Sequence, residues 1–195
     1  MKKRCEWVGT DPLYIEYHDK EWGTPVFNDQ KLFEFLILEG AQAGLSWMTI
    51  LRKRQNFFNA FDHFDPQKVA RYGPEQIQRL LKNKGIIRNE RKIRSAVQNA
   101  RAFLKIQEQF GSFSDYVWQF VGGTPKKNAR RQVSEIPSKT ADSIALSRDL
   151  KRRGFVFVGP TICYAFMQAV GMVNDHTIDC FRYYELNSYL KQPGG

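Results

Sequence analysis

Hydrophobic residues recur along most of the chain at the three- and four-residue spacing of amphipathic helices. Capping residues, glycine and proline separate these segments, as expected at helix ends. The one β-like run, Phe155–Val158, lies between two glycines and is predicted to be a tight connection between helices. We therefore predict an all-α fold. Its helices are expected over residues 30–44, 47–58, 66–72, 74–84, 89–109, 114–121, 140–153 and 160–170.

Individual residues set the predicted helix starts. Asp29, Ser46, Asp65 and Thr140 are the expected N-caps of the helices that follow them, because each can accept a backbone N–H in the first turn. Ser114 is expected to open the short helix over 114–121.

A chain of 195 residues is long enough to bury a core and short enough for one domain. We predict a single helical domain over residues 1–184. Residues 185–195 contain few core-forming side chains and end in Pro-Gly-Gly, so a flexible tail is predicted there. No stretch approaches the roughly 20 apolar residues of a membrane span, and Cys5-Glu6-Trp7 after the basic first residues leads us to expect no secretory signal.

The net charge indicates the kind of partner, and the cysteine content indicates the cellular compartment. Thirty Lys and Arg residues against twenty Asp and Glu residues give a net charge of +10. This balance favours a polyanionic partner, although it is also compatible with solubility alone. Three cysteines do not form a disulfide framework, so we expect an intracellular, cytoplasmic protein.

Glu39 lies on the wrong face of its helix. At about 100° per residue, it falls in the middle of the apolar stripe that contains Leu32, Phe35, Leu36 and Ala43. A buried carboxylate is costly unless it is paired or functional. Two interpretations stay open: an ion pair with a basic residue or exposure at the helix edge, and a carboxylate that lines a ligand cavity.

Five aromatic residues lie close to this helix in sequence. Such rings around a carboxylate form a site for a flat, cationic ring, through stacking and cation–π attraction. The alternative, more common for aromatic residues, is an ordinary core. The five are Trp7, Tyr14, Tyr17, Trp22 and Trp47.

Cysteine and histidine occur in two pairs, one at each end of the chain. Cys5 and His18 form the first pair, and His176 and Cys180 would share one face of a helix. Two thiolates and two imidazoles are a tetrahedral zinc set without an open position, so the metal would be structural. The alternative is a buried thiol and a buried imidazole that bind nothing.

A short turn between two predicted helices follows a cluster of basic residues at 148–153. Val158, Gly159, Pro160 and Thr161 would direct the backbone N–H groups of a helix start toward a phosphate, and the basic residues would add attraction for nucleic acid. A solvated basic surface is the alternative.

Several short segments together carry a family resemblance. They are Cys5-Glu6-Trp7, Asp11–Ile15, Tyr17-His18-Asp19, Glu21-Trp22-Gly23, Leu38-Glu39-Gly40, Gln42–Trp47, Gly85–Arg88, Asn99–Ala102, Ser134–Pro137, Phe157-Val158-Gly159 and Asn174-Asp175-His176. With these residues the chain resembles the 3-methyladenine DNA glycosylase I family from Cys5 to Cys180.

The resemblance implies a helix-hairpin-helix glycosylase fold, with a hairpin at Val158-Gly159 and a second helix from Pro160 and Thr161. It implies a monofunctional base excision repair enzyme that hydrolyses the N-glycosidic bond of 3-methyladenine in double-stranded alkylated DNA. The free base would be the product, and the protein would be a monomer without membrane contact.

The same resemblance assigns residue roles. Glu39 and Tyr17 would hydrogen-bond the base, Glu39 would be the catalytic residue, and Trp47 would stack on the base. Trp7, Tyr14 and Trp22 would line the pocket. One structural zinc ion would be held by Cys5, His18, His176 and Cys180.

Two features depart from the wider superfamily. Asn174 stands where many members have an aspartate, which puts in doubt any mechanism that needs a carboxylate there. The hairpin has Phe157-Val158-Gly159 where other members carry two glycines, so fewer phosphate contacts are expected.

Two other activities fit the sequence less well. A non-catalytic DNA-binding protein with a structural metal would not explain a carboxylate among aromatic rings. A lyase would need an amine nucleophile, and no lysine lies in the Tyr17, Glu39 or Trp47 segments.

Overall fold

The computed structural model describes residues 2–189, and these form a helical fold with one very small sheet. The helices are α1 Pro12–Lys20, α2 Asp29–Gln42, α3 Trp47–Ala60, α4 Pro66–Val69, α5 Pro74–Lys82, α6 Glu90–Phe110, α7 Phe113–Trp118, α8 Ala141–Arg152, α9 Pro160–Ala169 and α10 Phe181–Tyr189. Single 3₁₀ turns cover Glu6–Val8, Asp62–Phe64, Gln119–Val121 and Val133–Glu135. The predicted all-α class is confirmed.

Helix α2 is the centre of the core. Every residue from 32 to 41 is buried, and α2 packs against α3, α6, α7 and α9. A helix that is apolar on nearly all sides can be buried in this way. Glu34, which the pattern places on the polar side, is buried as well, because it pairs with Arg54 at 2.6 Å and with Lys31 at 2.9 Å.

The predicted caps at Ser46, Asp65 and Thr140 are confirmed, and the prediction for Asp29 is wrong. Asn28 caps α2, and Asp29 is its first residue. The Asp29 carboxylate instead accepts the backbone N–H groups of Phe113 and Ser114, each at 2.8 Å. It thus stabilises the start of another helix, where a negative charge is favourable.

The start of α7 and the end of the chain also differ from prediction. Ser112, not Ser114, is the N-cap of α7. Helix α10 continues to Tyr189, past the predicted start of the tail at Glu185, and Leu186 is buried in it. The remaining residues of the predicted tail, 190–195, lie outside the described part of the chain.

A two-stranded parallel sheet joins two distant segments. β1 (Lys126–Lys127) pairs with β2 (Val173–Asn174), and an isolated bridge continues the contact from Arg130 to Thr177. Strands of two residues carry no readable sequence pattern, so this pairing was not predicted. It places the loop between α7 and α8 beside the segment that follows α9.

Helices α8 and α9 pack against each other and are joined by the turn over residues 153–159, which has no strand, as predicted. Asn99 of α6 fixes this turn with two hydrogen bonds of 2.9 Å, one to the N–H and one to the C=O of Val156. Phe157 adopts a left-handed φ of 56° and packs on Gly40, where an added Cβ would lie 3.4 Å from the Phe157 Cβ. The turn therefore rests directly on α2, next to Glu39.

Within residues 2–189, no helix combines the length and the apolar character needed to cross a bilayer.

Candidate active site and metal centre

A cavity of about 320 Å³ lies beside α2. It brings together all six side chains predicted to bind a base, although they come from the 3₁₀ turn at Glu6–Val8, α1, the α1–α2 connection, α2 and α3. The lining residues are Trp7, Tyr14, Tyr17, Trp22, Glu39, Gln42, Trp47, Val133, Ile136, Ala165 and Gln168.

Glu39 is the acidic group of this cavity. Its residue surface is only 4% exposed, and among residues 2–189 it has no hydrogen-bond or ion-pair partner. Burial raises the pKa of Glu39 to about 8, since the charged form loses its hydration. Of the two interpretations left open by the sequence, the ion pair and the exposed edge are both wrong. Glu39 is an unpaired carboxyl group that lines a cavity.

Tyr17 and Trp47 flank the carboxyl group, and their ring centroids are 5.5 Å apart. Burial and the nearby Glu39 raise the pKa of Tyr17 well above its usual value, so its hydroxyl is a hydrogen-bond donor at neutral pH. The Trp47 Nε1–H is buried without an acceptor among the described residues. Buried polar groups are normally satisfied, so this unused donor indicates space for a ligand.

Trp7, Tyr14 and Trp22 form a connected aromatic wall. The ring centroids of Trp7 lie 5.0 Å from Tyr14 and 4.9 Å from Trp22, in edge-to-face arrangements that favour both contacts. The aromatic-core alternative holds for part of this wall, because Trp22 is buried and Trp7 packs on the core. All three side chains nevertheless line the cavity.

Five residues that line the cavity lie outside the predicted set. One of them is Gln42, at the end of α2. Val133 and Ile136 come from the loop after β1, and Ala165 and Gln168 come from α9. Ile136 lies in one of the segments that carry the family resemblance, but the sequence gives no signal for Gln168. The β1–β2 pairing and the bridge from Arg130 to Thr177 hold the start of this loop beside the segment after α9.

Three of the four predicted metal ligands converge at the chain ends. Ligand atoms of Cys5, His18 and Cys180 all lie within 4.8 Å of one another, and all three residues are buried. The His176 ring is also buried, and its centroid is 5.0 Å from that of His18. The expected helix over His176 and Cys180 is wrong: both precede α10, in an irregular segment after β2.

The groups around these residues fit a metal. His18 Nδ1 bonds to Asp19 at 2.8 Å and His176 Nδ1 bonds to Asn174 at 3.0 Å, as is usual for imidazoles that ligate a metal through Nε2. His18 Nε2 lies 3.4 Å from the sulfur of Cys180, another of the predicted ligands. His176 Nε2 is buried without a hydrogen-bond partner. Burial also lowers the pKa of His176 to about 2, so the imidazole is neutral, as a ligand must be.

The two cysteine sulfurs share a hydrogen bond, and this bond together with burial raises the pKa of Cys5, the donor, well above its usual value. The pKa of Cys180 is lowered to about 5, first by a hydrogen bond from the Cys5 thiol and also by His18, which favours a thiolate. Cys5 Sγ accepts contacts from the Thr177 N–H at 3.5 Å and its hydroxyl at 3.7 Å. This donor set is the one that structural zinc sites use.

The Cys/His group and the cavity share a wall. The Trp7 centroid is 5.3 Å from that of His18, and the Trp22 centroid is 4.6 Å from that of His176. A metal that fixed the two imidazoles would therefore also fix two rings of the cavity.

The turn before α9 has the predicted form. Val158 is buried, Gly159 and Pro160 are half-buried, and Thr161 is exposed. Ser147 donates a 2.6 Å hydrogen bond to the Val158 carbonyl, and no side chain caps the start of α9. The first N–H groups of this helix are thus open to an external acceptor.

The chain is similar to known proteins over most of its length. A family model described as methyladenine glycosylase matches residues 7–183. The chain is 52% identical over 181 residues to DNA-3-methyladenine glycosylase 1 of Escherichia coli (strain K12), covering 93% of this chain and 97% of that protein.

Solved structures agree with this match. A crystal structure of a 3-methyladenine DNA glycosylase I has a TM-score of 0.90 at 52% identity, covering 92% of this chain and 98% of that one. A tyrosine-to-phenylalanine variant of a 3-methyladenine DNA glycosylase I, in complex with 3-methyladenine, has a TM-score of 0.89 at 37% identity, covering 91% and 96%. The matched region includes Tyr17, Glu39 and Trp47.

Proposed function

Because the chain belongs to the methyladenine glycosylase family, we propose that it is a DNA glycosylase that releases 3-methyladenine from alkylated double-stranded DNA. The observation that carries this proposal is the unpaired Glu39 carboxyl group in a cavity of aromatic rings. An unpaired buried acid is unfavourable on its own, and a cationic ligand relieves that cost. In this proposal the ligand is the methylated base.

The base reaches the cavity by leaving the duplex. Rotation of the nucleotide out of the helix costs a few kcal/mol, and the cost is lowest for damaged pairs. Methylation at N3 gives the adenine a positive charge in the nucleoside, so stacking on Trp47 gains a cation–π contribution. The Tyr17 hydroxyl and the Glu39 carboxyl group bind the polar edge of the base, and Trp7, Tyr14 and Trp22 enclose it.

The bond that breaks joins C1′ of the deoxyribose to N9 of the base. N3-methyladenine leaves as a neutral base because its positive charge accepts the bonding electrons. Water then adds its oxygen to C1′ and releases a proton. Glu39 acts in its charged form, where it stabilises the cationic base and the positive charge that develops on the sugar.

Proton release from Glu39 is linked to binding of the cation. The pKa of about 8 applies to the empty cavity, and a positive charge beside the carboxyl group lowers it. A base without that charge can still form a hydrogen bond with Glu39 but gains no ionic attraction from it. This difference supports selection of the alkylated base over unmodified adenine.

The reaction in this proposal is monofunctional. A lyase would need an amine that attacks C1′, and none of the described residues that line the cavity is a lysine.

DNA is held, in this proposal, by a helix-hairpin-helix motif formed by α8, the turn over residues 153–159 and α9. The open N–H groups at Gly159 and Thr161 bind a phosphate, with Val158 and Pro160 shaping the turn. Because Phe157 of this turn packs on Gly40, the phosphate contact lies at a fixed distance from Glu39.

Cys5, His18, His176 and Cys180 would hold one structural zinc ion. Bound there, zinc would supply only structural stabilisation, since four protein ligands leave no position for water. The residues themselves join the N-terminal segment to the segment before α10 and fix the ring positions of Trp7 and Trp22. We place the enzyme in the cytoplasm as a monomer.

The direct test is release of free bases. Purified protein is incubated with DNA treated with a methylating agent, and the soluble fraction is separated by chromatography. We expect 3-methyladenine as the main released base and no strand cleavage before alkali treatment. DNA binding without release of any methylpurine would reject the glycosylase proposal and favour a non-catalytic DNA-binding protein.

A further inference from the structure

Gln168 is a polar residue of the cavity that neither the sequence nor the aromatic pattern indicates. It lies in the last turn of α9, a helix that packs against α2, and its half-buried side chain lines the cavity. Its Nε2 donates a 2.8 Å hydrogen bond to Asp175 Oδ2, and no described residue donates to its Oε1. One half of the amide is thus used and the other half is free.

Asp175 is a buried carboxylate outside the cavity. Its side chain is fully buried and accepts three hydrogen bonds besides facing Arg130 Nε at 3.8 Å. Tyr164 donates its hydroxyl hydrogen to Oδ2 at 2.6 Å, and Asn128 donates from Nδ2 to Oδ1 at 2.7 Å. The carboxylate is therefore held from two segments of the chain, α9 and the loop after β1, and cannot rotate freely.

This arrangement fixes the orientation of the Gln168 amide. A carboxylate accepts hydrogen bonds and donates none, so the NH₂ group of Gln168 must face Asp175. The Oε1 atom, on the same planar group, then faces away from Asp175. A rotated amide would place an oxygen against the carboxylate and lose the hydrogen bond.

We propose that Gln168 is a specificity residue: its Oε1, oriented by Asp175, accepts a hydrogen bond from an amino group of the bound base. Glu39 selects for positive charge, whereas Gln168 selects for a donor on the ring edge. A 6-amino purine satisfies this acceptor, and a 6-oxo purine presents an oxygen to an oxygen. The inference rests on the proposed function for its choice of ligand, while Asp175 acts only as a positioning residue.

The first test is binding of two free bases that differ only at position 6, 3-methyladenine (amino) and 3-methylhypoxanthine (oxo), by isothermal titration calorimetry. Gln168→Met keeps the side-chain length and removes the acceptor. We expect roughly 3- to 10-fold weaker binding of 3-methyladenine, the usual worth of one neutral hydrogen bond. Binding of 3-methylhypoxanthine should be unchanged or stronger. Gln78→Met, on the exposed face of α5, is the matched control and should change neither affinity.

The second test exchanges the hydrogen-bond acceptor that Gln168 offers to the base for a donor. In Asp175→Asn, the contact from Asn128 keeps the oxygen of residue 175 at the Oδ1 position, so its new NH₂ group faces Gln168 and Tyr164. The Tyr164 hydroxyl can accept a hydrogen bond as well as donate one, so it tolerates this NH₂ group. The Gln168 amide then turns to accept from it and presents its NH₂ to the cavity. We expect the preference between the two bases to shift toward the oxo base, an effect that simple loss of packing would not produce.

Equal loss of affinity for both bases in Gln168→Met, or no loss for either, would overturn the inference. So would an Asp175→Asn protein whose preference for the amino base is unchanged. These results are separate from the proposed function. If the wild-type protein released no base from methylated DNA but bound free bases with this selectivity, the proposed function would fail and the inference would stand.

Discussion

Burial of Glu39 costs free energy, and from this cost we predict how the free energy of unfolding changes in a Glu39 variant. Glu39→Gln keeps the shape of the side chain and removes the charge, so the variant should unfold at a higher denaturant concentration than the wild type at neutral and alkaline pH. The reason is the raised pKa: the fold prefers the protonated acid, and the unfolded chain releases its proton near the ordinary value of 4.5.

The pH window follows from these two values. Below about pH 4.5 the acid is protonated in both states, and Glu39 imposes no penalty. Between about 4.5 and 8 the unfolded chain holds fewer protons than the folded one, so stability falls as pH rises. Above about 8 the penalty is constant. At about 1.4 kcal/mol for each pKa unit, the penalty is on the order of 3 kcal/mol at pH 7 and about 4–5 kcal/mol above pH 8.

The assay is urea unfolding of the unliganded wild type and variant at pH 5, 7 and 8.5, with the difference in unfolding free energy taken at each pH. We expect the advantage of Glu39→Gln to grow with pH. Glu34→Gln is the matched control, since Glu34 lies on the same helix, is equally buried and is paired with Arg54. That variant should lose about 1–3 kcal/mol, because it removes a charged hydrogen bond from a buried partner. A Glu39→Gln advantage that is absent or independent of pH would refute the reasoning.

Three further predictions address other parts of the account. Trp47→Ala should weaken binding of free 3-methyladenine, measured by calorimetry, by about 1–3 kcal/mol, because in the proposed site the ring stacks on the base. Duplex affinity, measured by fluorescence anisotropy, should be nearly unchanged, and equal losses of both affinities would show that Trp47 does not stack on the base. Elemental analysis should find one zinc per chain, and Cys180→Ser should lower both the zinc content and the melting temperature. A variant that binds one zinc per chain and melts at the wild-type temperature would show that Cys180 is not a ligand. Asn99→Ala should weaken duplex binding several-fold and leave free-base binding intact, because it releases the turn at Val156; a loss confined to the free base would contradict that role.

The sequence predicts the centre of the site well because the signal there is local. Glu39 is recognisable as an acid within an apolar stripe, and burial of the whole of α2 enforces that position. Proximity in sequence indicates the aromatic partners correctly because α1 packs against α3 and α3 packs against α2.

The part of the cavity that the loop after β1 and helix α9 form has no local signal in the sequence. Val133 and Ile136 reach it through the β1–β2 pairing, which involves two residues from each strand. Gln168 is set by a carboxylate on another element, and hydrogen bonds of this kind leave no periodic trace. The predicted cap at Asp29 failed for a related reason, since its carboxylate binds the start of α7 more than eighty residues away.

The central claim is that Glu39 makes the cavity selective for a charged, methylated adenine. The most direct test is single-turnover release of 3-methyladenine from a methylated duplex by the wild type and by Glu39→Gln, with duplex affinity measured in parallel. We predict release by the wild type, at least a tenfold slower rate for the variant, as expected for loss of one electrostatic contact in the transition state, and equal duplex affinity. An equal rate of release by the two proteins would contradict the claim.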